Sequence, residues 1–578
     1  MLRRTFLGST AAAATAAIID SRLAFARTAP DWSPLRRQLG DRLIDVHSPL
    51  AAAAESGGRG ADALFAALKN PYYLSDEPAL TQSLGWIDAW TSRPSLKAVA
   101  AESAQDVAAA VNFARGTGVP LVVKGGGHSY FGNSNRAGSL LVWTHRLRTI
   151  ALADSFRPDG APASVAGVPA VSLGAGCLWG EVYRKVAVEH GRYVQGGGCL
   201  TVGVAGFVQG GGFGSLSKQF GTGAANLLEA EIVTADGRIR TVNRWRDPEL
   251  FFALRGGGGG TFGVVTRLTL RTHDLPATFG AALFEVKAAT DAAWRELCRR
   301  IIAFYADHLF NPRWGEQIRF SPGRRLSINM LCHSLSQEQV VAAWAPFMDW
   351  VRSRPKDFTI AGNPLLLALP ARAFWDPDTL RKLPGVVLQD DRPGAPAENV
   401  FWAGNLGEAA QVLNAYQSAW LSRRLLAGAR RTELADAMAR AGSIWSITLH
   451  TNKGLGGGSP EAIAATRRTA TNREVLDAFA LVICAAEQDP AWPGIPGHQP
   501  DVAGGRRQAA EVSRAMREIY RIAPGAGAYM SECDYFLKDW KRAQWGANYP
   551  RLAAAKRRYD PSWLFRGHHC VSLERETG

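Results

Sequence analysis

The chain has 578 residues, of which 47% are hydrophobic and 20% charged. This composition supplies large apolar cores and excludes a disordered chain, and the length allows three or four units of about 150 residues each. Lys and Arg outnumber Asp and Glu by 66 to 51, which gives a net charge of +15. The positive charges are scattered and form no basic run with interleaved aromatic residues, so no nucleic-acid partner is expected. Such a basic surface is typical of an exported protein or attracts an acidic substrate or polymer.

The first 26 residues have the pattern of an export signal. Arg3-Arg4-Thr5-Phe6-Leu7 is a twin-arginine pattern, and an alanine-rich apolar stretch and the small-x-small site Ala24-Phe25-Ala26 follow it. We therefore expect a signal peptide at 1–26, export of the folded protein by the twin-arginine machinery, and a periplasmic or secreted location. The apolar stretch is too short to span about 30 Å of hydrocarbon, so no stable membrane anchor is expected.

Three blocks follow the signal. Residues 27–91 are alanine-rich and predict a helical lead that packs against the body. Residues 92–275 alternate helix and strand, with a helix in DVAAAVNFARGTG (106–118), a buried strand in VPLVVK (119–124) and a hairpin around Asp236-Gly237. This alternation favours an α+β fold over a run of βαβ units.

The third block, 276–509, predicts an antiparallel sheet covered by helices on one face. Its expected strands include TFGAALFEVKA (278–288) and RLSINMLCHS (325–334), and one expected amphipathic helix is EAIAATRRTATNREVLDAFA (461–480). A Pro/Gly-rich break at 492–505 precedes the tail, 510–578, which must dock on the rest of the chain.

Glycine is concentrated in four loops. The chain has 60 glycines, above the usual share of about 7%, and they cluster in GGGH (125–128), GGGC (196–199), QGGGFG (209–214) and RGGGGGTFG (255–263). Successive amides in such loops can point at one anion, which predicts a pyrophosphate-bearing ligand. None of the loops fits GxGxxG at a strand-to-helix turn or the Walker pattern.

Two of these loops carry a nucleophile. His128 and Cys199 each lie in a glycine-dense turn after an apolar stretch, and together they indicate a cofactor held by two covalent bonds. A surface histidine or proton shuttle, and a plain packing thiol, are the alternatives. The seven cysteines include no CxxC pair and no His/Cys cluster at zinc spacing, so neither a disulfide framework nor a metal site is expected.

The segments around these residues resemble the berberine bridge enzyme-like FAD-linked oxidases. KGGGHSYFGNS is similar to the segment that bonds the flavin 8α-methyl group through a histidine, here His128, and GGGCLTVGVAG to the one that bonds flavin C6 through a cysteine, here Cys199. The tail WGANYPRLAAAKRRYDPSWLF is similar to the family's C-terminal segment. The resemblance implies a two-part PCMH-type FAD-binding domain (92–275), a substrate domain (276–509), and a C-terminal segment (510–578) that returns to the FAD domain.

The resemblance also implies the residues of the FAD site. The expected contacts, besides His128 and Cys199, are Lys124, Gly125, Gly126, Gly127, Ser129, Thr201, Val202, Gly203, Gly206, Gly211, Gly212, Gly214, Asn226, Ile232 and Asn548.

Oxidising an alcohol requires a group that accepts the hydroxyl proton. The candidates are Tyr529, Glu532, Asp534 and His450, which correspond to the substrate sheet and C-terminal segment of the family. Tyr529 and Asp534 stand where the family has Tyr-x-Asn-x-x-Asp, but Ser531 replaces the Asn. A hydrogen-bonded strand histidine is the alternative for His450.

Val202 lies three residues after Cys199, at a position that acts as an oxygen gate in related enzymes, where valine permits access. We therefore expect an oxidase that takes hydride from a small alcohol substrate, a sugar, oligosaccharide or secondary metabolite, and uses O2 to give H2O2. The alternatives are a dehydrogenase with another acceptor, an oxidative cyclase of secondary metabolism, and a flavin-free carbohydrate-binding module. Retention of both His128 and Cys199 favours an enzyme.

Overall fold

The computed structural model describes residues 30–572, so the predicted signal peptide lies outside the described residues. The strands are β1 (Leu43–Asp45), β2 (Ser83–Trp86), β3 (Trp90–Thr91), β4 (Lys97–Ala100), β5 (Leu121–Lys124), β6 (Leu140–Trp143), β7 (Ile150–Phe156), β8 (Val168–Gly174), β9 (Arg192–Val194), β10 (Leu227–Val233), β11 (Ile239–Asn243), β12 (Val264–Asp274), β13 (Thr278–Ala288), β14 (Trp314–Ser321), β15 (Arg325–His333), β16 (Phe358–Pro370), β17 (Val387–Gln389), β18 (Val400–Trp402), β19 (Gln411–Ser422), β20 (Ile447–His450) and β21 (Ala478–Gln488).

The α-helices are α1 (Ser33–Leu39), α2 (Pro49–Glu55), α3 (Ala61–Ala67), α4 (Pro71–Asp76), α5 (Ala104–Thr117), α6 (Trp179–Tyr183), α7 (Val204–Gln209), α8 (Ser217–Phe220), α9 (Gly223–Asn226), α10 (Pro248–Leu254), α11 (Asp291–Phe304), α12 (Gln337–Arg352), α13 (Ala371–Phe374), α14 (Pro377–Leu380), α15 (Gly428–Ile444), α16 (Pro460–Thr466), α17 (Val502–Ile522), α18 (Trp540–Trp545) and α19 (Tyr549–Tyr559).

Three sheets organise the chain. The first has the order β1-β4-β6-β5, and the second has the order β11-β10-β12-β8-β7, with β9 paired to β12. The third has nine strands in the order β16-β13-β15-β14-β20-β21-β19-β2-β3. The predicted α+β class is confirmed, and the predicted hairpin at Asp236-Gly237 is formed by β10 and β11 with Gly237 at a φ of 77°.

The lead contributes strands as well as helices. β1 pairs with β4 in the first sheet, whereas β2 pairs in parallel with β19 in the third. The segment that the sequence predicts as a packed helical lead is therefore divided between two sheets. The pairing of β2 depends on contacts with residues more than 300 positions away, which local sequence patterns do not encode.

Four helices, α11, α12, α15 and α17, cover one face of the third sheet. Their contribution to the core includes Trp294, Trp344, Met438 and Met516, all buried. Because side chains alternate along a strand, the other set of side chains lies on the face that these helices leave uncovered, which we call the free face.

The predicted amphipathic helix at 461–480 is wrong in its second half. Helix α16 ends at Thr466, and Ala478 already belongs to β21. Between them, the Thr469 hydroxyl donates to the Thr466 carbonyl (2.7 Å) and the Asn472 side chain accepts from the Glu474 amide (3.0 Å). Thr and Asn side chains that bond the nearby backbone in this way compete with helix formation.

The C-terminal segment returns to the FAD-binding region, as predicted. Trp545, Leu552 and Tyr559 are buried in one core with residues of the second sheet, and Phe565 bridges Leu121 of the first sheet. Within residues 30–572, no helix combines the length and apolar character needed to cross a membrane.

Candidate flavin site

The loops that carry His128 and Cys199 are in backbone contact. A Cβ atom on Gly126 would lie 2.8 Å from the Gly203 nitrogen, and one on Gly203 would lie 2.7 Å from the Gly126 nitrogen. Real side chains do not tolerate such distances, so glycine at both positions allows the two loops to meet. Gly203 also bridges Leu178 at the edge of the second sheet.

The two nucleophiles share one neighbour. The hydroxyl of Thr201 lies 3.5 Å from His128 Nε2 and 3.4 Å from Cys199 Sγ. The 8α-methyl group and C6 belong to the same ring of an isoalloxazine. The separation of the two side chains therefore suits two bonds to one such ring.

The hydrogen bond of His128 fixes its tautomer. Nε2 lies 3.1 Å from the carbonyl oxygen of Thr201, and a carbonyl only accepts, so Nε2 carries the hydrogen and donates. Nδ1 is then the nitrogen with a free lone pair. Burial lowers the pKa of His128 to about 4, against the opposing effect of the Thr201 carbonyl, so the imidazole is neutral and nucleophilic at physiological pH.

Cys199 is held as a thiol. Burial, with a smaller effect of Glu408, raises its pKa to about 11, against the hydrogen bonds from the Thr201 hydroxyl and the amides of Thr201 and Val202, which lower it. Two hydrogen bonds fix the backbone before it, because the Tyr183 hydroxyl donates to the Gly197 carbonyl and Trp402 Nε1 donates to the Gly198 carbonyl, both at 2.7 Å.

Open space lies beside this pair. A Cβ on Gly206 would have no atom within 4 Å, and Gly206 is exposed. A Cβ on Gly259, in the fourth glycine loop, would lie 3.6 Å from the Gly206 Cα. Helix α7, which follows the Cys199 loop, and the fourth glycine loop therefore border one open crevice.

Other predicted glycines serve packing. Gly211 and Gly212 have φ values of 107° and 75°, which side chains rarely adopt. A Cβ on Gly214 would lie 1.8 Å from the Gly196 carbonyl oxygen. These positions press the third glycine loop against the loop of Cys199. Gly125 and Gly127 flank Gly126 in the His128 loop.

Three polar residues predicted to contact the cofactor have side chains that are already hydrogen-bonded within the protein, so only their backbone groups remain for the predicted contacts. The Lys124 ammonium donates to the carbonyls of Leu74, Glu77 and Leu80, so its three hydrogens are used by the lead and none remains for a phosphate. The Asn226 side chain donates to two carbonyls and accepts from His273. Both amide hydrogens of Asn548 bind the carbonyls of Ala470 and Thr471. All three side chains stabilise the protein itself.

The remaining predicted cofactor contacts lie in the backbone around the site. The Ser129 hydroxyl accepts from the Asn133 amide (3.3 Å) and caps the turn after His128. Val202 is half-buried, and its amide donates to the Cys199 carbonyl (3.4 Å). Ile232 is fully buried in β10.

The predicted proton acceptors lie in different surroundings. Glu532 pairs with Lys453, and Tyr529 is buried against Phe213 and Trp420. His450 is half-buried on the free face of the third sheet, and burial, with Lys453 and Arg319, holds its pKa well below the usual value.

Asp534 lines a cavity that is separate from the His128 and Cys199 loops. This cavity has a volume of about 180 Å³, and its lining includes Asp534 and Gln417 but neither His128 nor Cys199. The carboxylate of Asp534 accepts from the Phe536 amide (3.0 Å) and from Gln417 Nε2 (3.4 Å). Its predicted catalytic role is therefore not supported by this geometry.

Sequence reasoning missed Glu408, Tyr130 and Tyr416. The rings of Tyr130 and Tyr416 lie 5.1 Å apart, and Glu408 and Glu532 both raise the pKa of each phenol, after burial. Desolvation by the surrounding groups raises the pKa of Glu408 to about 7, with Glu532 and Glu487 adding to the shift, although the residue is exposed to solvent. It therefore lines a recess rather than a packed core.

A signal existed for only one of these residues. Tyr130 follows His128 by two positions, within the motif. Glu408 lies in the irregular segment between β16 and β19, where no pattern indicates a function.

The crevice fits FAD. It is bordered by α7 and the fourth glycine loop, and the His128 loop reaches it through the contact of Gly126 with Gly203. Backbone amides of such loops can approach a pyrophosphate, and a neutral imidazole and a thiol suit bonds to one ring. The arrangement defines a candidate flavin-nucleotide site, in which His128 and Cys199 would hold the ring and backbone amides of the glycine loops would face the phosphates.

Comparisons with known proteins agree. Residues 96–243 match the FAD binding domain model, and residues 528–572 match the model described as berberine and berberine like. FAD-linked oxidoreductase ZEB1 of Gibberella zeae is 30% identical over 475 residues, which cover 81% of this chain and 74% of that protein. The chain belongs to the berberine bridge enzyme-like family of FAD-linked oxidoreductases.

Solved structures show the same fold. The VAO-type flavoprotein MtVAO615 of Myceliophthora thermophila C1 is 24% identical, with a TM-score of 0.74 and 95% of each chain covered. The glucooligosaccharide oxidase of Acremonium strictum, described with a 6-S-cysteinyl, 8α-N1-histidyl FAD, is 19% identical, with a TM-score of 0.61 and coverage of 83% of this chain and 92% of that one.

Proposed function

We propose that this protein is an exported oxidase whose FAD is bonded through the 8α-methyl group to His128 and through C6 to Cys199. Its substrate is an alcohol carbon of a sugar, an oligosaccharide or a secondary metabolite, and O2 is the electron acceptor. The observation that carries the proposal is the shared contact of His128 and Cys199 with the Thr201 hydroxyl.

The tautomer of His128 supports the histidyl bond. Its Nδ1 lone pair is free because Nε2 donates to the Thr201 carbonyl. The glucooligosaccharide oxidase of Acremonium strictum carries a histidyl and a cysteinyl link of the same two types.

FAD, when bound, accepts a hydride from the substrate carbon. The chain must then take the hydroxyl proton, and we assign this role to Glu408. The charge of its carboxylate raises the pKa of Cys199 and of Tyr130. A pKa of about 7 matches that of a general base working near neutral pH. Lys453 holds Glu532, and the neutral His450 remains the second candidate from the sequence.

Use of O2 is proposed from Val202, which lies three residues after Cys199 and whose amide donates to the Cys199 carbonyl. Export by the twin-arginine machinery to the periplasm or medium is proposed from residues 1–26.

Peptide mass spectrometry of the purified yellow protein tests the cofactor. We expect a flavin adduct on the peptides of both His128 and Cys199. The absence of an adduct on either residue contradicts attachment of the flavin through two covalent bonds. Mixing the protein anaerobically with sugars and phenolic alcohols, followed by air, tests the reaction. Bleaching of the flavin and its return with stoichiometric H2O2 is expected, whereas bleaching that air does not reverse indicates a dehydrogenase.

A further inference from the structure

One methionine lies at the edge of the flavin crevice. Met530, in the C-terminal segment, is half-buried. Its Cε atom lies 3.0 Å from the position that a Cβ of Gly258 would take, in the fourth glycine loop. Gly258 precedes Gly259, which borders the crevice, and the Gly258 amide donates to the Gln209 carbonyl at the end of α7 (3.0 Å). The side chain of Met530 therefore lies where the C-terminal segment meets the wall of the crevice.

The other methionines within residues 30–572 are enclosed. Four of them lie in the core between the third sheet and its helices, with at most 1% of each exposed: Met330, Met348, Met438 and Met516. A reagent in solution reaches such side chains only when the core opens. Met530 is thus the most accessible thioether in the part of the chain that the structure describes.

The cysteines are protected in a different way. An oxidant such as peroxide reacts with the thiolate rather than with the thiol. Burial raises the pKa of all seven cysteines, so few thiolates are present at neutral pH. A thioether has no proton to lose, and its oxidation depends on access to the sulfur.

Met530 supports the turn that contains it. Its side chain packs against the core of the second sheet and against the core that contains Tyr529. The Ser418 hydroxyl accepts from the Tyr529 amide (3.4 Å) and donates to the Glu532 carbonyl, which closes the turn on both sides of Met530. Glu532 in turn pairs with Lys453. A change in the Met530 side chain therefore acts on the turn that holds this ion pair.

We propose that Met530 is a modification site for hydrogen peroxide made at the flavin, and that its oxidation loosens the C-terminal segment. This inference rests on the proposed function, which supplies the H2O2. The thioether sulfur attacks one oxygen of H2O2 and the O–O bond breaks. The sulfur, oxidised by two electrons, becomes a sulfoxide, and the second oxygen leaves with both protons as water. The sulfoxide is polar and suits neither apolar core, so the contact with the fourth glycine loop weakens.

Peptide mass spectrometry of the flavin-bearing protein treated with added H2O2 tests the site. We expect the peptide of Met530 to gain one oxygen atom roughly tenfold faster, or more, than the peptides of the four buried methionines, because those react only from opened states. Hydrogen exchange should then become faster in 528–534 and 255–261, the two segments that meet at Met530.

Peroxide made by the protein itself provides a second test. Reduction of the flavin with one equivalent of dithionite, followed by air, should release one H2O2 for each flavin. Repeated cycles should modify Met530 more than the same total amount of added H2O2 does, because the peroxide is formed beside this side chain.

Three variants separate the sulfur from the fold. Met530→Leu removes the sulfur at nearly constant volume, and its hydrogen exchange should not respond to H2O2. Met348→Leu is the matched control on α12 and should keep the wild-type response. Met530→Gln places a polar side chain of similar length at this position, so it should show the faster exchange without H2O2.

Oxidation of Met530 no faster than that of Met348 overturns the proposal. So does a cysteine peptide that is oxidised before Met530, or a sulfoxide at Met530 that leaves the exchange of both segments unchanged. If air does not reoxidise the flavin with release of H2O2, the oxidase of the proposed function fails instead. The treatment with added H2O2 still decides the role of Met530 in that case.

Discussion

The hydroxyl of Thr201 lies close to both nucleophiles. We expect its removal to affect the cysteinyl and the histidyl bond to flavin differently. The hydroxyl lowers the pKa of the Cys199 thiol, whereas His128 is oriented by the Thr201 carbonyl. Thr201→Val keeps the carbonyl and removes the hydroxyl. We expect the histidyl bond to form normally and the fraction of protein with the cysteinyl bond to fall several-fold, because less of the thiol is ionised.

Peptide mass spectrometry of the two adducts measures this effect, and Thr266→Val, a buried threonine on β12, is the control. Loss of both adducts in T201V would show that the hydroxyl shapes the whole site rather than the thiol alone. Full retention of both adducts would show that the Thr201 hydroxyl contributes to neither flavin bond.

Glu408 predicts a pH dependence with a defined sign. Its folded pKa of about 7 lies above the usual 4.5, so the folded protein holds this proton more tightly than the unfolded chain. Stability is therefore lost as pH rises from 4.5 to 7. Glu408→Gln should leave the melting temperature unchanged at pH 4 and raise it at pH 8, and Glu398→Gln, in the same segment, should change neither.

The same variant tests the proton transfer. Flavin reduction in the wild type should accelerate as pH rises through about 7, because the ionised carboxylate is the acceptor. In E408Q we expect a flat profile and a rate lower by roughly 100-fold or more. If E408Q keeps the wild-type pH profile and rate of flavin reduction, Glu408 is not the proton acceptor and His450 becomes the candidate.

The role of a residue could be predicted where its immediate sequence neighbours reveal its chemistry. His128 and Cys199 stand out because a nucleophile in a dense glycine run has few structural reasons to be there. Lys124 and Asn226 occur in the same runs, yet their partners are carbonyls of the lead and of the 220–222 turn. A polar residue that binds the protein and one that binds a ligand look alike in sequence.

At the level of elements, the segment between β16 and β19 determines how the Cys199 loop is covered. It enters the site through the β17–β18 hairpin, whose last residue, Trp402, donates to the Gly198 carbonyl. The turn at Ala403–Glu408 follows directly. The position of Glu408 thus depends on the indole hydrogen bond, on the packing of the hairpin and on the hydrogen bond that Asn405 Nδ2 donates to the Glu408 carboxylate (3.2 Å).

Trp402→Phe removes that bond and keeps an aromatic ring. We expect a loss of about 1 kcal/mol in local stability, seen as faster hydrogen exchange in 196–200 and 400–408. Trp350→Phe, on α12, is the control and should leave both segments unchanged. Faster exchange across the whole chain would instead indicate that the indole supports the global fold.

Elements differ in how far the sequence predicts them. The β10–β11 hairpin is set by a turn of five residues, with Gly237 in the left-handed region, and was predicted. The parallel pairing of β2 with β19 joins residues 83–86 to 411–413 and could not be. The predicted helix at 461–480 failed because Thr469 and Asn472 bond the local backbone, an outcome that hydrophobic periodicity does not report.

For the whole molecule, buried lysines connect segments that are far apart in the sequence. Lys218, on α8, donates to the carbonyls of Gly454, Gly456 and Phe479 and so joins the FAD-binding region to the substrate sheet. Lys124 binds three carbonyls of the lead in the same way. Each ammonium satisfies carbonyls that would otherwise be buried without partners.

Lys218→Met should therefore destabilise by about 3–5 kcal/mol, since it leaves those carbonyls unpaired. The damage should be local to the joined segments, with faster hydrogen exchange in 451–458. Lys124→Met makes the matched change and should loosen residues 74–80 instead, whereas the exposed Lys382→Met should affect neither. If both buried variants give the same exchange pattern, the two lysines support one cooperative unit, and the crevice cannot open by separating its sheets.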